Sequence, residues 1–137
     1  YKILKLTGKD FTETKFYYKE YIGEEDVPDF DGALEVEENL GWVRFNSVIV
    51  SRYIKIEAGS GIEAGEGIEA GSGIEAGSGI KAGSSITCKL ILKCSFRIFA
   101  GLAIWKKEVT DEEKTITCKR LEGGGEVEYG ILKETID

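Results

Sequence analysis

The sequence predicts an all-β chain wound as a parallel β-solenoid, a three-sided β-helix with about six residues per face, carrying a small α/β cap at its start. Three observations predict it. Bulky aliphatics recur every six residues at Ile56, Ile62, Ile68, Ile74, Ile80, Ile86, Leu92, Ile98 and Ile104. Two residues after them stand small side chains: Ala58, Ala64, Ala70, Ala76, Ala82, Cys88, Cys94 and Ala100. Gly and Ser fill the rest of a unit that reads Ile-Glu-Ala-Gly-Ser-Gly, and two glycines per unit would undo a helix, whose 3.6-residue period the spacing also misses.

In chain order, residues 1–31 read as the cap. Lys2-Ile3-Leu4-Lys5-Leu6 alternates like a strand. Asp10-Phe11-Thr12-Glu13 has the spacing of a helix capping box, and Phe11, Tyr17, Tyr18, Tyr21 and Ile22 then form a helical aromatic stripe before Gly23. A short helix with an aromatic face would cover the open end of a solenoid. The acidic run from Glu24 to Asp29 is a solvated connector. Asp29-Phe30-Asp31-Gly32 with Glu38 overlaps part of a calcium loop, but Val27 would hold the first ligand position, and no second helix follows.

Residues 32–133 read as the solenoid. Leu34-Glu35-Val36 and Leu40-Gly41-Trp42 are six apart, as are Val48-Ile49-Val50 and Ile54-Lys55-Ile56, with eight-residue gaps that read as corner insertions. In an extended strand, positions i and i+2 share a face, so each Ile and its small companion point inward and the residue between them points out. A three-residue strand is not stable alone; identical units with identical corners stack into parallel coils around one core. With three faces, residues 18 apart are neighbours at about 4.8 Å. That places Glu63 over Lys81 and Glu75 over Lys93, with Glu57 over Glu75 as one like pair. Two faces would stack Glu57 on Glu69, Glu63 on Glu75 and Lys81 on Lys93 against one opposite pair, Glu69 on Lys81, so the charges favour three. Residues 106–114 loop out in place of one unit, Ile116-Thr117-Cys118 returns to frame, Leu121 and Val127 close the last coil, and 134–137 form a tail.

The chain has 137 residues, a formal charge of −7 and no histidine. One domain is expected. The missing histidine removes imidazole acid–base catalysis, Ser-His and Cys-His nucleophile pairs and every His-ligated metal, so no catalytic, cofactor-binding or metal residue is assigned. The acidic balance argues against nucleic acid and anionic lipid. No apolar run reaches the roughly 18 residues of a membrane span, and a cytoplasmic protein is expected. Cys88, Cys94 and Cys118 are an odd set; Cys88 and Cys94 stand at the Ala position, where a thiol acts as a small hydrophobe.

The units Gly61-Ile62-Glu63-Ala64-Gly65 and Gly79-Ile80-Lys81-Ala82-Gly83 resemble those of small bacterial hexapeptide-like β-solenoid proteins. Some of these look like immunity proteins of polymorphic-toxin or contact-dependent inhibition systems. The resemblance spans roughly residues 30–135 and implies a cytoplasmic, non-enzymatic protein that binds one toxin domain and blocks its active site. It carries over no individual binding residue. A looser similarity to bactofilins implies the alternative, a self-assembling structural solenoid. Hexapeptide acyltransferases and trimeric carbonic anhydrases share the architecture but work through histidines, which are absent here.

Candidate partner-binding residues are Glu57, Glu63, Glu69 and Glu75, either an acidic row for a basic toxin domain or a solvated coat, together with Trp42, Phe99 and Trp105. Phe99 and Trp105 fall at outward positions, as interface anchors or covered by residues 106–137. The 31 residues before the solenoid favour a discrete monomer or small homo-oligomer over a filament.

Overall fold

Each unit folds as a short strand and a corner. The computed structural model describes residues 2–23, 27–103 and 108–135. The first strands are β1 (Lys2–Leu6), β2 (Phe11–Glu13), β3 (Tyr18–Tyr21), β4 (Gly32–Val36), β5 (Gly41–Phe45) and β6 (Val48–Val50). The repeat supplies β7 (Ile54–Ile56), β8 (Ser60–Ala64), β9 (Ile68–Ala70), β10 (Ile74–Ala76), β11 (Ile80–Ala82), β12 (Ile86–Cys88), β13 (Ile91–Cys94) and β14 (Arg97–Phe99). The last are β15 (Thr115–Cys118), β16 (Arg120–Glu122), β17 (Glu126–Tyr129) and β18 (Ile131–Glu134).

Every third strand stacks on the same face. The first sheet runs β1-β4-β7-β10-β13-β16, the second β3-β5-β8-β11-β14-β17 with β2 added beyond β3, and the third β6-β9-β12-β15-β18. From β4 onward the chain makes five three-strand windings of a three-sided parallel β-solenoid. Residues 18 apart pair where the repeat is regular: Ile62 with Ile80, Ile80 with Ile98, and Ile68 with Ile86. Inside, these side chains are fully buried, and each inward Ile contributes about 1.5–3 kcal/mol by leaving water. Cys88, Cys94 and Cys118 lie in the same core as the Ala companions.

Among its described residues the cap holds no α-helix. Residues 11–21 form an antiparallel hairpin, with Phe11 opposite Tyr21 and Glu13 opposite Lys19. The Thr14 hydroxyl closes its turn by donating to the Tyr18 carbonyl at 2.6 Å and accepting from the Phe16 amide at 3.1 Å. Aromatic and Thr side chains suit a pleated surface, and the free edge of β5 offers β3 a ladder that a helix could not use. The capping box forms three residues earlier, between Thr7 and Asp10 around a single 3-10 turn at Gly8–Asp10. Parallel stacking also extends into residues 1–31. β1 pairs with β4 along its length, and Phe30 bridges to Val50, so the first residues are wound into the tube.

Two register details differ from the hexad reading. Ile54, not Ile56, stacks beneath Ile74, which sets Lys55 beside Glu75 and puts Ile56 at the small-companion position. Glu57 therefore lies in the corner that follows β7, and the expected stack of Glu57 on Glu75 does not form. Upstream, Val43 rather than Leu40 stacks on Ile62, leaving Trp42 pointing outward. Both shifts come from corners of more than three residues, which lengthen the path between faces. The corner beside β5 bends at Asn39 and Gly41, whose φ values of 59° and 74° put both in the left-handed region. Between β14 and β15, the described residues 108–114 hold one 3-10 turn, at Glu112–Lys114.

Candidate functional site

The outward positions of the three sheets carry different chemistry. On the first sheet they read Lys5, Glu35, Lys55, Glu75, Lys93 and Glu122, alternating in sign from coil to coil. The third sheet shows Ile49, Glu69, Thr87, Thr117 and Lys133. The second runs Glu20, Arg44, Glu63, Lys81, Phe99 and Tyr129. The candidate Glu row is thus dispersed. Glu75, Glu63 and Glu69 belong to the first, second and third sheets in turn, and Glu57 sits at a corner, because a six-residue step advances the chain by one face. Among the seven candidates, the structure brings together Trp42, Glu63 and Phe99. Trp105 lies outside the described residues.

That gathering is an aromatic and charged patch on the second sheet. Its floor is backbone: the Trp42 indole lies over Gly61 and Gly79, so close that a Cβ on Gly79 would come within 2.6 Å of the ring. Glu63 points outward yet is only 5% exposed. It is covered by Arg44, whose Nη1 lies 2.5 Å from its carboxylate, and by Tyr17, whose hydroxyl donates to the other oxygen. The hairpin loop delivers Tyr17 across 46 residues of sequence. Arg44 also lies 5.3 Å from the centre of the Tyr18 ring. Partial burial, then the bond to Glu63, holds the Tyr17 hydroxyl well above its ordinary ionisation range.

Lys81 occupies the middle. Its ammonium sits 4.3 Å from the Tyr17 ring centre, 4.6 Å from Trp42 and 5.5 Å from Phe99. These are cation–π distances. Beside it opens a groove of about 340 Å³, lined by Tyr17, Arg44, Glu63, Lys81, the small residues 64–65 and 82–83, and Leu102. Tyr17 is 60% exposed and its neighbour Phe16, stacked on Tyr18, is 70% exposed. Sequence reasoning missed Tyr17, Arg44 and Lys81 as members. The one available signal was the predicted stack of Glu63 on Lys81 beside an outward Phe99.

The cysteines lie elsewhere, inside the tube. Burial, and then the proximity of Cys118, pushes the Cys88 thiol up to about 12. Burial also raises Cys94 and Cys118. All three are neutral at pH 7 and are poor nucleophiles there. Among the described residues no group of three Cys, Asp or Glu side chains converges as metal ligands, and no helix is long and apolar enough to cross a membrane.

In comparisons with known proteins, no family model, no curated protein and no solved structure matches the chain. Fold and site together define the class: a three-sided parallel β-solenoid with an aromatic, charge-bearing patch on one face.

Proposed function

We infer that this chain is a non-enzymatic protein-binding module that uses the second-sheet patch as its contact surface, and that it acts as an immunity protein neutralising a basic toxin domain. One observation carries the binding reading. Two large aromatics, Phe16 and Tyr17, stand exposed beside Trp42 and a covered Arg44–Glu63 pair. Tyr, Trp and Arg grouped around a partly desolvated centre are the residues that dominate protein–protein affinity. The toxin reading draws on the resemblance of the repeat units and on the net charge of −7. With acids and bases alternating along the first sheet, that charge acts at long range, steering a basic domain rather than presenting an acidic wall.

The test is binding to the product of the adjacent gene, measured by calorimetry with the chain and with its Trp42→Ser and Phe16→Ser variants. The reading expects sub-micromolar affinity for a toxin domain and at least a tenfold loss in each variant. No interaction with a toxin, or affinity untouched by both substitutions, would overturn it.

A second reading, a bactofilin-like self-assembling solenoid, is favoured by the last winding. Its strands β16, β17 and β18 end their sheets, and Leu132 at a core position there is 37% exposed. At the other end, however, β2 runs antiparallel along the second sheet, and a parallel coil cannot continue past it. Light scattering across a hundredfold concentration range separates the two, since growth of the particle would favour assembly.

A further inference from the structure

Lys81 departs from the charge pattern that the first sheet keeps along its length. On the first sheet each of the inner lysines has an acid on both neighbouring coils: Lys55 lies between Glu35 and Glu75, and Lys93 between Glu75 and Glu122. On the second sheet, Lys81 has Glu63 on one side and Phe99 on the other. Glu63 is engaged elsewhere, bonded to Arg44 and Tyr17, and among the described residues no carboxylate forms an ion pair with Lys81. Lys81 is half-buried, and its ammonium lies near three ring faces. Ring quadrupoles attract a cation, but they do not neutralise it as a carboxylate does. With Glu63 balanced by Arg44, the described lining of the groove carries one net positive charge beside an apolar wall that includes Leu102.

We propose that this groove anchors an acidic side chain of the protein partner, its carboxylate seated on Lys81 beside Tyr17, with an adjacent apolar residue against Leu102. The partner thus supplies the acid missing from the second-sheet ladder. The proposal rests on the patch being a protein-binding surface and adds the chemistry of the anchor. It is compatible with a partner that is basic overall, since net charge governs approach and a single buried pair governs the local fit.

The experiment is selection of random dodecapeptides displayed on phage against the immobilised full chain, followed by affinity measurement of synthetic peptides. The expected result is enrichment of peptides with one constant Asp or Glu next to an aliphatic residue. Replacing that acid by its amide weakens binding at least tenfold, Lys81→Met does the same, Lys81→Arg retains most of the affinity, and Lys93→Met on the first sheet changes nothing. Peptides that bind the patch, as judged by loss with Phe16→Ser, yet show no acidic preference or are indifferent to Lys81→Met, overturn the anchor and leave the binding surface standing. Failure to enrich any peptide sensitive to Phe16→Ser overturns both. Denaturation midpoints of the Lys81 variants within the error of the parent confirm that a loss reports binding and not folding.

Discussion

Glu63 and Lys81 are ladder partners on adjacent coils, yet they do not form an ion pair. Glu63 turns instead to Arg44 on the preceding coil, at 2.5 Å, and to the Tyr17 hydroxyl. The geometry explains the choice. A planar guanidinium and a phenol donate along fixed directions and together satisfy both carboxylate oxygens, whereas the lysine ammonium finds three aromatic faces around it. One buried acid therefore organises the patch, and Lys81 is left among aromatic rings with no carboxylate paired to it among the described residues.

Glu63→Gln is expected to lower stability by about 1–3 kcal/mol, because it leaves a half-buried Arg44 without its counter-charge. Glu75→Gln removes a comparable pair on the first sheet, where both side chains are about half exposed, and should cost under about 1 kcal/mol. Urea denaturation of the two variants side by side measures the contrast; equal losses would show that the covered pair has no special weight.

Glu75→Lys would set a third ammonium between Lys55 and Lys93, an unbroken basic row on consecutive coils. A loss of about 1 kcal/mol is expected, shrinking as salt rises toward 1 M, where the screening length falls to about 3 Å. Adding Lys93→Glu restores an opposite pair and should recover part of the loss. A salt-independent loss would point to packing rather than charge.

Alkaline pH should weaken the fold through the core thiols. Cys88 ionises at about 12 in the folded chain against an ordinary 9.0, so above pH 9 the unfolded chain holds fewer protons and unfolding gains. Stability then falls with rising pH, by at most about 1.4 kcal/mol per unit for each such thiol. The fall should be shallower in Cys88→Ala, which installs the residue that most units carry at this position. Denaturation midpoints between pH 8 and 11 for both chains give the difference, and parallel curves would remove Cys88 from the account.

Gly79→Ala is expected to cost about 1–3 kcal/mol. Its new methyl would meet the Trp42 ring at 2.6 Å and the Arg97 carbonyl at 2.9 Å, and the second contact is backbone that cannot swing aside. In a Trp105→Phe background, Trp42 emission should shift to the red as the indole lifts off the sheet. An unchanged spectrum would show that the ring does not rest on that glycine.

Much of the tube is legible in the residues. The eighteen-residue neighbours Ile62 and Ile80, and the Glu75–Lys93 pair, follow from a hexad on three faces, and both occur. The hairpin is not legible, since Phe11, Tyr17, Tyr18 and Tyr21 satisfy a helical stripe as well as a strand, and only the open edge of β5 selects between them. The hexad misplaces Glu57 because Ile54 and Ile56 both look like the start of a unit, and the eight-residue step from Ile54 to Ile62 shows only when the neighbouring coil sets the register. The Glu row disperses for a related reason: equal spacing along the chain becomes separation by about 120° around a three-sided prism.

Local periodicity thus decided what is repetitive here: parallel ladders and an apolar inside with small companions, because each unit meets a copy of itself and the pattern needs no distant partner. The hexad alone fits two faces or three; the stacking of charges favoured three, and the folded chain pairs residues 18 apart. The patch depended on the folded chain. Tyr17, Trp42, Glu63 and Phe99 meet through a hairpin laid across the wall and through corners of unequal length, and contacts between residues tens of positions apart leave no period to read.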